Sequence, residues 1–283
     1  MSDPRSTSSS SATGAPGAPG APRVGAIILA AGKGTRMKSD LPKVMHPALG
    51  KPMVRWVVEM AQAAGAAHTT LIIGHGADLL RREFANDAGL TFALQEPQLG
   101  TGHAVDQARK HFVPSRNGVL EWEDVFVLCG DGPLIRAETL RTLLAKHRAD
   151  GASATLATSM LENPAGYGRI ERDAQGNFRR IVEQKDATDA QKAIREVNPS
   201  YYCFKVRDLF DALSRVDNKN ASGEYYITDV FELLLKDGKK VSVIDAVPPA
   251  DVLSVNTPEQ LAEVESILRA RAASHTKTSG AAS

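Results

Sequence analysis

The sequence predicts an α/β protein, a mixed and mostly parallel sheet flanked by helices, and three observations carry that prediction. Short β-rich apolar runs alternate with stretches of helical periodicity through the first half of the chain. The first of these runs ends in a glycine-rich turn. After Gly151 the pattern loosens into shorter strands and turns, as in a mixed sheet that elaborates one end of a domain.

In order, strands are expected at Val24–Ala30, Thr69–Ile73, Leu90–Leu94 and Val125–Leu128, with helices at Pro52–Ala64, Ala77–Asn86, Gly102–Lys110 and Ala137–Arg148. The first helix carries its own punctuation, Pro52 at its start and Gly65 at its end. Val54, Val57, Val58 and Ala61 recur at helical spacing, a face suited to packing on a sheet. Further strands are expected at Ala152–Ala157, Gly168–Glu171, Phe178–Glu183 and Tyr201–Val206. The last helix opens with Thr257, Pro258 and a capping-box Gln260 and is expected to reach Arg269, with Val255 and Asn256 closing a strand before it.

The chain has 283 residues, 42% of them apolar and 24% charged, enough to bury a sizeable core, which rules out disorder throughout. Residues 1–22 are low complexity, ending in three Gly-Ala-Pro units, and 272–283 read as a solvated tail. One folded domain is therefore expected over 23–271. The 34 Lys and Arg nearly cancel the 33 Asp and Glu, so nucleic acid and membrane surfaces are not expected partners. No apolar run approaches the roughly 20 residues of a bilayer span, and the start lacks a secretory pattern, so a cytoplasmic protein is expected. Cys129 and Cys203 each lie in an apolar stretch and read as buried reduced thiols in the core.

The first strand runs into Leu29-Ala30-Ala31-Gly32-Lys33-Gly34-Thr35-Arg36-Met37, and the chain then reaches Leu41-Pro42-Lys43. Backbone N–H groups of such a loop can approach phosphate oxygens with no Cβ in the way, and Lys33, Arg36 and Lys43 add positive charge, so phosphate is the expected ligand. Two commoner loops are excluded. A P-loop requires Gly where Ile27 stands and Ser or Thr where Gly34 stands, and a dinucleotide fingerprint requires Gly where Met37 stands. Asp131 follows an apolar strand, which places its carboxylate at the strand's carboxyl end, where open α/β sheets bind ligands. It could equally open a turn with Gly132-Pro133. By themselves Gln95, Gly100 and Thr101 read as a polar loop before a helix.

The string from Leu29 to Lys43 resembles the signature of the sugar-1-phosphate nucleotidyltransferases, and most of all the N-acetylglucosamine-1-phosphate uridyltransferase domains. The resemblance continues through Gln95 with Gln98-Leu99-Gly100-Thr101-Gly102-His103-Ala104, Gly130-Asp131, and Gly166-Tyr167-Gly168-Arg169-Ile170. It extends through Ile181-Val182-Glu183, Asn198, Gly223 to Asp229, and Val255-Asn256. It implies a Rossmann-like fold of the nucleotide-diphospho-sugar transferase type and a Mg²⁺-dependent reaction of UTP with N-acetylglucosamine 1-phosphate, giving UDP-N-acetylglucosamine and pyrophosphate.

The same resemblance implies the roles of the residues. Leu29, Ala30, Ala31, Gly32, Gly34, Thr35, Arg36 and Lys43 would bind the triphosphate, and Lys43 and Arg36 would act in catalysis. Gln95, Gly100 and Thr101 would face the base. Asp131 and Asn256 would hold Mg²⁺, and Gly168, Glu183, Asn198, Tyr226 and Thr228 would contact the sugar phosphate.

Three features depart from that pattern. Cys129 stands where Tyr is common, Pro199-Ser200 follow Asn198 where Thr or Ser and then Gly are usual, and the hexapeptide repeats of an acetyltransferase domain are absent. No acetyl transfer is expected. A different sugar such as glucose 1-phosphate is the nearest alternative reading. A catalytically silent nucleotide-sugar-binding regulator is the alternative of another class. A Gly-x-Ser-x-Gly elbow and a His-Glu-x-x-His motif are both missing, which disfavours hydrolases and zinc proteases.

Overall fold

The computed structural model describes residues 23–113 and 121–280. Residues 1–22, 281–283 and the segment 114–120 lie outside the described residues, so the expected N-terminal tail is outside them too. In chain order the strands are β1 (Val24–Leu29), the two-residue hairpin strands β2 (Pro47–Ala48) and β3 (Lys51–Pro52), β4 (Ala66–Ile73), β5 (Leu90–Leu94) and β6 (Asp124–Cys129). Then come β7 (Ala154–Met160), β8 (Gly168–Arg172), β9 (Phe178–Val182), β10 (Glu196–Lys205) and β11 (Val241–Asp245). The helices are α1 (Met53–Ala63), α2 (Ala77–Glu83), α3 (Thr101–Asp106), α4 (Arg109–Phe112), α5 (Ala137–Asp150), α6 (Asp189–Lys192), α7 (Val206–Leu213), α8 (Asp229–Lys236) and α9 (Pro258–Gly280).

The main sheet runs β11-β7-β10-β6-β1-β4-β5, and β8 and β9 branch from β10 as a hairpin. Parallel pairing joins β5, β4, β1 and β6 at one side and β11 to β7 at the other. β10 is antiparallel to both β6 and β7 and to β8. The expected mixed sheet with flanking helices is therefore present. From β1 the chain goes to β4 and β5 on one side, then crosses to β6 on the other. The carboxyl ends of β1 and β6 thus border a switch point, where loops diverge and leave a crevice.

β1 is buried on both faces, which explains why it reads as a continuous apolar run. Ile28 faces a core with Val57, Phe126, Leu128 and Leu140, while its neighbour Ile27 faces the opposite core with Ile72, Val127, Tyr202 and Phe231. A third, smaller cluster packs Met37, Met53, Leu134 and Val255 against Val264 and Leu268 of α9. That cluster ties the glycine-rich loop to the C-terminal helix.

Several boundaries differ from expectation. The helix expected over 102–110 is broken into α3 and α4, and β10 begins at Glu196, so Asn198 lies inside a strand. Val255 and Asn256 lie in an irregular segment instead of closing a strand. The Thr257 hydroxyl accepts from the Gln260 N–H at 3.4 Å, as expected of the cap, whereas the Gln260 side chain reaches back to the Asn256 N–H at 2.7 Å, one residue before it. α9 passes Arg269 and stays helical to Gly280, because the alanine-rich stretch after it holds no helix breaker before that glycine. The solvated tail expected from 272 is helical over 272–280. Cys203 is buried as expected, whereas Cys129 is partly exposed at the end of β6. Among the described residues no helix is long and apolar enough to cross a membrane.

Candidate nucleotide and sugar-phosphate site

The glycine-rich loop leaves β1 under backbone control. Ala30 N–H donates to Ile72 O at 2.9 Å, and Ala31 O accepts from His75 N–H at 3.2 Å, so the chain is fixed up to Gly32. Gly34 adopts φ 65°, and a Cβ there would collide with the Cβ of Lys43. The loop and the lysine are packed backbone to stem, which only glycine permits. Thr35, Arg36 and Met37 form a single 3-10 turn anchored by the buried Met37.

Lys43 follows Pro42 and points its ammonium at two oxygens. It pairs with the Asp131 carboxylate and donates to Asn256 Oδ1 at 3.1 Å. Arg36 Nη2 donates to the same Asn256 oxygen at 2.8 Å. Val255 N–H donates to Asp131 O at 3.0 Å, which brings the distant Asn256 beside Asp131. Four residues expected to act together, Arg36, Lys43, Asp131 and Asn256, thus form one cluster although 220 positions separate the ends.

A cleft of about 310 Å³ adjoins this cluster. The β1 loop lines it with Leu29, Ala31 and Gly32; the 95–104 segment adds Gln95, Gly100 and Thr101; Lys43, Cys129 and Asp131 also face it. Gln95 is buried, and its amide nitrogen donates to Gly100 O at 2.9 Å. The Thr101 hydroxyl accepts from Ile227 N–H at 3.1 Å. Gln98, which carries no assigned role in the sequence reading, donates its amide to Ala31 O and joins the two walls. Its place in the 98–104 motif was the available signal. Desolvation of its sulfur, with the Asp131 carboxylate nearby, pushes the thiol of the partly exposed Cys129 up to about 12, so it lines the cleft as a neutral thiol.

The expected sugar-side residues fall into two neighbouring groups. Gly168 and Asn198 are register partners on β8 and β10. Asn198 Nδ2 donates to the Tyr202 hydroxyl at 2.7 Å, and its Oδ1 accepts from Ser200 N–H at 3.0 Å. Ser200 sits at φ 66°, the conformation glycine adopts freely, so this departure leaves a left-handed turn in place, closed by the Asn198 side chain. The second group is Glu183, Tyr226 and Thr228. The Thr228 hydroxyl donates to Glu183 Oε1 at 2.9 Å, and Glu183 and Tyr226 line a second cleft of about 240 Å³ with Asp186, Asn220, Asp229 and Glu232.

The 224–227 segment is shared by both clefts. Gly102 N–H donates to Tyr225 O at 2.7 Å and Tyr225 N–H to Leu99 O at 2.8 Å, while Glu224 lines the first cleft and Tyr226 the second.

The second cleft is electrostatically costly. Burial, followed by the nearby Glu183 and Glu232 carboxylates, raises Asp229 to about 6, and burial raises Glu183 as well. A carboxyl raised above its unfolded value holds its proton more tightly in the folded state. Stability is therefore greatest below about pH 4 for this group and falls as pH rises towards 6. Asp229→Asn is expected to raise the melting temperature at pH 7 by a few degrees, roughly 1 kcal/mol after allowing for partial exposure, and to have no effect near pH 4. Scanning fluorimetry across that range checks it, and a stabilisation that does not grow with pH would contradict it.

The model of the nucleotidyl transferase family matches residues 25–247. The chain is 50% identical over 248 residues to the bifunctional protein GlmU of Geobacter metallireducens, covering 88% of this chain and 51% of that protein. It is 46% identical over 249 residues to the bifunctional protein GlmU of Brevibacillus brevis, covering 88% and 52%. The chain thus spans about half the length of the curated relatives it matches. A structure of UDP-glucose pyrophosphorylase complexed with UDP-glucose superposes with a TM-score of 0.71 at 18% identity, over 88% of this chain and 99% of that one, and so shares the fold.

Proposed function

The chain belongs to the nucleotidyl transferase family, and from that premise we propose that it transfers the uridylyl group of UTP to N-acetylglucosamine 1-phosphate, giving UDP-N-acetylglucosamine and pyrophosphate. The observation that carries the proposal is the convergence of Arg36, Lys43, Asp131 and Asn256 beside the cleft at the switch point. The motif resemblance and the 46–50% identity to the GlmU relatives support the choice of substrates.

In this reading the glycine-rich loop receives the triphosphate, and Arg36 and Lys43 neutralise it. Because the Gln95 amide nitrogen is engaged by Gly100 O, its oxygen is the group left to accept the uracil N3–H. The sugar phosphate enters from the Gly168, Asn198, Glu183, Tyr226 and Thr228 side. Its oxygen forms a bond to the α-phosphorus as the bond to the β-phosphate bridging oxygen breaks, in line, and pyrophosphate leaves. The attacking phosphate is already ionised near neutral pH, so the protein's work is positioning and charge neutralisation.

The donor set fits Mg²⁺. A carboxylate and a carboxamide oxygen converge on one cationic group, the Lys43 ammonium, and hard oxygens in small number are what Mg²⁺ takes from a protein when phosphates and water supply the rest. Among the described residues no set of three or more His, Cys, Asp or Glu could enclose a metal ion. Asp131 and Asn256 would hold the ion, which would supply charge neutralisation on the triphosphate. We place the reaction in the cytoplasm, for which the free thiols Cys129 and Cys203 are suited.

One observation favours a second reading. Both polar atoms of the Asn198 side chain are engaged by Tyr202 and Ser200, which limits what it offers an acetamido group and admits glucose 1-phosphate. Offering the two sugar phosphates in parallel with UTP, and identifying the nucleotide sugar formed, tests the choice. Preference for the acetamido sugar supports the first reading, and preference for glucose 1-phosphate replaces it with the second.

A further inference from the structure

We infer that Arg136, Asp251 and Arg271 form a clamp that positions Asn256 against Asp131. The inference rests on the uridylyl transfer proposed above. Asn256 is carried on a strap, residues 249–256, that begins with a single 3-10 turn at Pro249–Asp251 and continues irregularly, outside any sheet ladder. The strap is gripped at its start. Asp251 is 1% exposed, and a carboxylate so buried requires charged partners. Arg136, just before α5, reaches it with Nε and with Nη2, the latter 3.0 Å from Oδ1. Arg271, on α9, pairs with the same Oδ1.

Arg271 also donates through Nη1 to Leu134 O at 2.8 Å. Leu134 lies on the loop that begins at Asp131. One guanidinium therefore bonds both segments, the strap with Asn256 and the loop with Asp131. The Tyr201 hydroxyl adds a donor to Asp251 O at 3.2 Å. At the other end Val255 is fully buried, and its N–H donates to Asp131 O at 3.0 Å. The spacing of the two oxygens proposed to hold Mg²⁺ is thus set between the Arg271 contacts and the Val255 hydrogen bond. Only the carboxylate of this triad is buried, with Arg136 and Arg271 reaching it from the surface side; such ion pairs are weak evidence for stability, and holding register is their better-attested use.

The test uses the full chain with Arg271→Met, Arg271→Lys and Arg136→Met. Arg271→Met leaves Asp251 paired with Arg136, so the fold is expected to persist. The readouts are hydrogen exchange at the Val255 amide, Mn²⁺ binding by paramagnetic resonance, and the Mg²⁺ concentration for half-maximal rate. Exchange at Val255 is expected to accelerate at least roughly 10-fold in Arg271→Met, with metal affinity weakened by about 10-fold, as for other outer-shell losses. KM for UTP at saturating Mg²⁺ should stay within about two-fold, since the entry to the loop that binds it is held by the Ala30–Ile72 and His75–Ala31 backbone hydrogen bonds. Arg271→Lys should restore part of both effects, and Arg136→Met should show them more weakly. Unchanged Val255 protection overturns the clamp, as does lost protection with an unchanged metal response. A wild-type chain without turnover would overturn the functional reading instead, while exchange and Mn²⁺ binding still decide the clamp.

Discussion

Asp131→Ala is expected to lower the rate of nucleotide-sugar formation by roughly 10³-fold, the scale of losing a preorganised charge-stabilising group. Its melting temperature should stay within about 5 °C of the parent. Two features set this apart from an ordinary surface carboxylate. Its side chain is partly exposed at the cleft, so its removal leaves no buried cavity, and the backbone hydrogen bond from Val255 to Asp131 O does not depend on the side chain. Only the charge partner of Lys43 is lost, together with one of the two oxygens suited to Mg²⁺. Steady-state rates beside a melting curve separate the outcomes. Retained turnover would remove Asp131 from the reaction, and a collapsed melting temperature would make it structural.

Gly100→Ala is expected to cost about 2–4 kcal/mol of stability, roughly 1–3 for forcing a group into a packed site and about 1 for the left-handed backbone, which lowers the melting temperature by roughly 5–15 °C. Gly100 has φ 115°, where a Cβ is strained, and a Cβ would meet Tyr225 O at 2.6 Å and Tyr225 N at 2.8 Å. These are backbone atoms already paired with Gly102 and Leu99, so relief requires the two segments to part. Because 224–227 walls both clefts, KM should rise for UTP and for the sugar phosphate together. Gly32→Ala is the matched control, since a Cβ there meets nothing within 4 Å. It should melt like the parent, so any effect on rate reads ligand approach alone. A Gly100→Ala protein with parental melting and parental KM values would contradict the shared wall.

These effects also show which parts of the molecule were legible in the sequence. β1, β4 and β6 were readable because burial on both faces writes an apolar run, and β5, a partly buried edge strand, from its short β-rich Leu-Thr-Phe-Ala-Leu sequence. α1 was readable because Pro52 and Gly65 bracket a one-sided valine face. Helices α7 and α8 and strand β11 had no expectation attached to them. α7 follows β10 with no intervening turn residue, and β11 gains its place only by pairing with β7, which is distant in sequence. Arg36, Lys43, Asp131 and Asn256 were named from motif order, and the structure brings them together through the Val255 to Asp131 hydrogen bond. The sugar side was less legible. Sequence order places Asn198 among potential ligands, but its engagement by Tyr202 and Ser200 depends on the strand start and on the left-handed turn at Ser200. The Arg136, Asp251 and Arg271 triad has no local motif at all, because its members meet only when α9 docks against the third core.

The central claim is nucleotidyl transfer at the Arg36, Lys43, Asp131 and Asn256 cluster. The most direct measurement follows pyrophosphate and nucleotide sugar simultaneously, with the purified chain, Mg²⁺, UTP and N-acetylglucosamine 1-phosphate, beside Asp131→Ala. Equal amounts of the two products from the parent, and both formed roughly 10³-fold more slowly by the variant, is the expected result. Inorganic phosphate in place of pyrophosphate, or UTP binding with no product across sugar phosphates, would contradict it.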